Sequence, residues 1–209
     1  DIGKNLVAMM YKGAGFEVQD LGVESNGLTD PAFRRIVLFP TAPGDGDLSF
    51  HESWWRLVGV HEYTHWQHLS ARSGLPGFLV ALAGTWAAPG NATPSWLKEG
   101  ICVYAESGLS PYEGRLNEGT YEALLAGLAR EGRLPSLVEA TFQPLAFPGA
   151  GVSVRLIGGS FFAYLAREFG PESLPRFFQH FASSGWSYLS PLLPWAGVDR
   201  SARKVFGKG

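Results

Sequence analysis

His61-Glu62-Tyr63-Thr64-His65 is the stretch from which the rest of the chain is best read. On an α-helix, residues four apart lie on one face and neighbours are turned by about 100°. His61 and His65 can therefore aim their imidazoles at a single ion, with the Glu62 carboxylate beside it. The surrounding segment, about 53–73, supports a long helix closed by Gly74, so the five residues sit inside a helix as this chemistry requires. The competing explanation is chance. With only five histidines in the chain, a random H-E-x-x-H is expected on the order of once per hundred such sequences, and placement within a helix lowers that further.

Two histidines and a carboxylate at this spacing suit zinc. The ion takes imidazole and carboxylate in a tetrahedral site, and three protein ligands leave the fourth position to water. Glu62 is then the candidate general base, and a third ligand has to come from elsewhere. A second helix opens at Pro94 with Ser95 as N-cap, runs through Trp96, Leu97, Ile101, Val103 and Tyr104, and stops at Gly108. Glu99 on that helix is the candidate third ligand; its alternative role is an ordinary carboxylate near a helix N-terminus. Glu106 lies seven residues on, about 10 Å along the axis, too far to share the ion but placed to hydrogen-bond a ligand histidine. His68 is similarly about 10 Å from His61 and falls outside the ligand set.

Outward from these helices the chain reads as α+β. Arg35 to Pro40 is a buried strand, Ser25 to Pro31 a polar linker, and 43–47 a glycine- and aspartate-rich loop. Leu75 to Pro89 is apolar but broken by Pro76, Gly77 and Gly84, so it reads as a packed loop or short helix, below the roughly 20 residues that span a bilayer. Helical patterns return at about 118–131, 158–169 and 172–182. The 17 basic and 19 acidic side chains are dispersed, which leaves no footprint for nucleic acid. Cys102 is the only cysteine; it excludes an internal disulfide and is taken to exclude a cysteine-based zinc site.

The two helical blocks, His61 to His65 and Pro94 to Glu106, together with Gly158-Gly159-Ser160-Phe161 through Glu172, resemble bacterial gluzincin-type zinc metallopeptidases. Their pattern is H-E-x-T-H, then P-x-W-L-x-E-G-x-x-x-Y-x-E, then a G-G-S-F-x-x-Y-L region, and the resemblance covers about residues 28–209. It implies a zincin-like α+β fold, with a small sheet, the metal helix and a mostly helical C-terminal half. It also implies Zn2+ held by His61, His65 and Glu99, a peptide or protein substrate, and a secreted or cell-envelope setting. Where the family often has a tyrosine before G-G-S-F, this chain has Arg155, a candidate oxyanion stabiliser beside Tyr164, Tyr104 and Tyr112. An exposed structural arginine is the alternative. Val205 to Gly209 reads as cut short of a final helix found in such peptidases.

The first residues have a different affinity. Asp1 to Val7, Gly15 to Val18 and Asp20 to Val23 resemble the start of the cobalamin-binding domain of corrinoid proteins, as a helix over 4–16 and a strand over 17–23. The piece lacks the later elements that hold that cofactor, so cobalamin binding is not expected. The expected organisation is an αβ fragment over 1–27 followed by a metallopeptidase domain over 28–209. The expected function is hydrolysis of peptide bonds by an activated water with Glu62 as base; the alternative is a zinc-binding domain without catalysis.

Overall fold

The computed structural model describes residues 27–39, 53–141 and 150–207. The expected helix and strand within 1–23, and the loop at 43–47, lie outside them. Among the described residues the chain is mostly helix with a two-stranded antiparallel sheet, an α+β composition. No helix among them is long and apolar enough to cross a membrane. Cα packing divides the chain into two compact units. The described part of the first comprises 27–39, 53–66 and 102–134, and that of the second 67–101, 135–141 and 150–207.

In the first unit, β1 (Gly27–Asp30) pairs with β2 (Arg35–Leu38), Gly27 opposite Leu38 and Asp30 opposite Arg35. Asp30 closes the connecting turn: its Oδ1 accepts the N–H groups of Ala32 and Phe33 at 3.1 and 3.2 Å. Arg34 completes it with a left-handed φ of 53°. The strand expected from Arg35 is present. The linker expected over 25–31 is not: β1 occupies 27–30, because pairing with β2 outweighs the weak strand propensity of a Gly-Leu-Thr-Asp run.

The long helix α1 (Trp54–Ser70) packs its first turns against that hairpin through a core of Ile36, Leu38, Trp54, Trp55, Leu57 and Val58, flanked by Trp66. The buried positions 54, 58, 61 and 65 recur every three or four residues, so the face that anchors the helix also buries both motif histidines. Helix α2 (Gly74–Ala83) follows, and Gly74 starts it rather than merely ending α1. The apolar Leu75 to Pro89 stretch is thereby helical in its first half. Helix α3 (Ser95–Ser107) includes Ser95 in its first turn, and Leu97 and Lys98 donate to the Pro94 carbonyl. After it come α4 (Gly119–Arg130), α5 (Leu137–Thr141), α6 (Ala150–Phe169), α7 (Ser173–Ser183) and α8 (Pro194–Phe206). Helix α6 begins eight residues before the 158 suggested by periodicity, and α8 was not read from the sequence at all.

The second unit is held by aromatic packing. Trp96 meets Phe161 edge-on at 5.6 Å between ring centres, Phe162 stacks on Phe178 at 5.9 Å, and Phe177 stacks on Phe206 of α8 at 5.8 Å. The buried rings Phe162 and Phe177 contribute about 1.5–3 kcal/mol each by leaving water. Helices α3 and α6 meet there at Gly100 and Gly158, where backbone lies directly on backbone.

Candidate metal centre

The histidines of α1 stand with ring centres 4.9 Å apart and nearly perpendicular. Both are buried, at 6% and 9% exposure. Together with Cys102, on the first-unit part of α3, they form a group whose ligand atoms all lie within 4.8 Å of one another. Donors around a tetrahedral zinc sit about 3.4–3.8 Å apart, given metal–ligand lengths of about 2.0–2.3 Å. The group is thus about 1 Å from the separations a bound ion would impose, and its nitrogen and sulfur donors suit zinc. Against the expectation that a single cysteine excludes a cysteine-based zinc site, one thiol here stands beside two imidazoles in a group that could hold a metal. Its position was readable, since Cys102 precedes Glu106 by one helical repeat and shares its face.

Glu106 lies against His61. Its Oε2 is 2.8 Å from His61 Nδ1, and the residue has no exposed surface. A carboxylate at this place accepts the hydrogen bond of an Nδ1–H, which favours the tautomer that a histidine ligating through Nε2 needs. Arg115 also supports Glu106, with Nη1 at 2.6 and 2.8 Å from the two carboxylate oxygens and the backbone nitrogen donating to Oε1 at 3.4 Å. Burial by itself would raise the Glu106 carboxyl. The Arg115 charge, then the bond to His61, outweigh it and hold the group below the usual carboxylate range.

Glu62 is fixed by the hairpin. The Thr29 hydroxyl lies 2.7 Å from both the Glu62 carboxylate Oε2 and the Glu62 backbone carbonyl, so one proton is shared between two acceptors. Gly27 makes room for this: a Cβ there would come within 2.5 Å of Glu62 Cγ and 2.9 Å of Oε1. Neither Thr29 nor Arg115 was identified from sequence. Thr29 sat in an apparent linker, and nothing in the order of residues says which cation reaches a buried Glu106.

Glu99, Arg155, Tyr164 and His68 fall in the second unit. Glu99, half-buried on α3, accepts from Arg155 Nε of α6 at 3.3 Å. The arginine proposed as an oxyanion stabiliser therefore holds the carboxylate proposed as a ligand. Tyr164 is 43% exposed, stacks on Phe161 and has the Arg167 guanidinium 5.7 Å over its ring. His68 packs against Phe178 in the same unit. Of the remaining tyrosines, Tyr112 is 90% exposed and Tyr104 is partly buried on α3.

No protein-family model, curated protein or solved structure matches the chain.

Proposed function

We propose that the chain is a zinc-dependent peptidase of the gluzincin type with a zincin-like fold, in which His61 and His65 hold the metal and Glu62 is the general base. The observation that carries this is the pairing of His61 Nδ1 with the buried Glu106 at 2.8 Å, the carboxylate contact that orients a metal-ligating imidazole. When bound, zinc lowers the pKa of water to about 7 and polarises the scissile carbonyl. The protein's part is orientation and proton transfer. Glu62 accepts a proton from the attacking water and returns it to the leaving amine nitrogen, so peptide cleavage needs no second base. Thr29 keeps the carboxylate in one rotamer on the hairpin side of α1.

The third ligand in this reading is Glu99, and it rests on the resemblance. The donor group of the first unit offers Cys102 instead. Glu99→Gln and Cys102→Ser separate the two: the true ligand's substitution weakens zinc binding and the other leaves it unchanged.

Metal dependence tests the reading as a whole. Chelation is expected to abolish cleavage of fluorescein-labelled casein, and one equivalent of zinc to restore it. Cleavage that survives complete removal of zinc counts against a metallopeptidase. A zinc-bound chain that cuts nothing in a broad peptide library supports the non-catalytic alternative.

Thr29→Val keeps the volume and removes the hydroxyl. A hydrogen bond to a charged group contributes about 1.5–3 kcal/mol, so kcat is expected to fall by about 10-fold or more while KM and zinc content hold. Thr29→Ser should recover most of the rate. Equal rates for the Val variant and wild type remove Thr29 from the mechanism.

A further inference from the structure

Arg115 is 3% exposed, yet it does not belong to a long element. It sits in a single 3-10 turn, Arg115–Asn117, at the end of the segment that follows α3. That segment is fastened with unusual thoroughness for a connection. The Asn117 amide nitrogen donates to the carbonyls of Ser107, Ser110 and Glu113 at 2.9, 2.9 and 2.6 Å. Leu116 N–H donates to Ser107 Oγ at 3.0 Å. Gly114, at φ 89°, lies against the Ser107 backbone where no Cβ would fit. From α1, Arg56 reaches the Leu109 carbonyl at 3.4 Å and the Glu113 carboxylate at 3.5 Å.

Neutralising a buried carboxylate requires only a nearby cation. Here the cation is held by its own turn so that one nitrogen faces both Glu106 oxygens, and Oε2 also meets His61 Nδ1. A Glu106 carboxylate so held cannot rotate away from the imidazole. The His61 ring is then constrained in both tautomer and direction.

We infer that Arg115 is a positioning residue for the metal centre, setting zinc affinity through Glu106 and His61. This rests on the reading that His61 is a ligand. The segment from Gly108 to Asn117 is accordingly a clamp on the centre, although it contributes no ligand.

The experiment is a zinc titration of the full, metal-stripped chain against a chromogenic chelator, with thermal midpoints measured on the same samples. Outer partners of metal ligands typically account for about 10- to 100-fold in affinity, so Arg115→Met is expected to raise the zinc Kd by about that factor, as is Glu106→Gln. The double variant should bind within about two-fold of the weaker single, because Arg115 acts only through Glu106. Arg115→Lys keeps the charge on a shorter, more flexible side chain and should weaken zinc by an intermediate factor; it is the variant to read if the Met form does not fold. A lowered thermal midpoint with an unchanged zinc Kd makes Arg115 merely structural and overturns the inference. So do losses that multiply in the double variant. His61→Ala distinguishes the two levels: wild-type zinc binding there overturns the ligand reading and this inference together. Loss of zinc in His61→Ala with wild-type affinity in the Arg115 variants overturns the inference alone.

Discussion

Glu62→Gln is expected to leave zinc bound and to lower kcat for peptide cleavage by about 10²–10⁴-fold, the usual contribution of a positioned general base. The substitution is nearly isosteric. The amide oxygen can still accept the Thr29 hydroxyl now found 2.7 Å from Oε2, and the space left by Gly27 still admits the side chain. What changes is proton affinity, because an amide cannot take the proton of the attacking water at neutral pH. The His61–Glu106–Arg115 arrangement is untouched, so zinc content should match wild type. The measurement is kcat and KM on fluorescein-casein or a quenched peptide, with bound metal counted in each sample. Equal turnover in the two proteins removes Glu62 from catalysis. Loss of zinc in the Gln form would assign the residue a role in binding rather than in proton transfer.

Gly158→Ala is expected to be the most destabilising small substitution in the second unit. An ideal Cβ at Gly158 falls on the Trp96 carbonyl oxygen and 2.9 Å from Gly100 Cα, and a Cβ at Gly100 meets the Gly158 backbone in return. The obstacles are helix backbone atoms, which cannot rotate aside as a side chain would. Relief requires α3 and α6 to separate, which also parts Trp96 from Phe161 and Phe162. Overpacking of this kind costs about 1–3 kcal/mol and more against rigid neighbours, which exceeds the ~1 kcal/mol that alanine gains over glycine in a helix. At about 2–4 °C per kcal/mol for a chain of this size, the thermal midpoint should fall by several degrees. Gly127→Ala on α4 is the matched control. Nothing lies within 4 Å of its Cβ, so that substitution should be neutral or stabilising. If both variants melt alike, the close contact between α3 and α6 is not real.

The centre was only partly legible in the sequence. The four-residue spacing of His61 and His65, with Glu62 between them, follows from helix geometry alone. Glu106 could be placed as a partner for a ligand histidine because its height along α3 is fixed by the rise per residue. Thr29 could not, because its role comes from a strand paired with β2 inside a run of turn-forming residues. Arg115 could not either. Its approach to Glu106 depends on how a ten-residue connection closes, and closure is a property of hydrogen bonds such as those of Asn117 rather than of residue type. Cys102 was discounted by counting cysteines, although its place on the Glu106 face of α3 was already fixed.

The chain by itself thus determined the local, periodic features: a helix that carries two imidazoles and a carboxylate, a second helix that carries Glu99 and Glu106, and an α+β composition. These depend on spacing along one element, which 3.6 residues per turn dictates. Tertiary structure alone decided which groups hold those side chains in place. It set Thr29 on Glu62, Arg115 on Glu106 and Arg155 on Glu99, and it explains Gly100 and Gly158 as a backbone contact between helices. Each of these joins residues distant in the chain, and only the packed fold brings their atoms within hydrogen-bonding or van der Waals range.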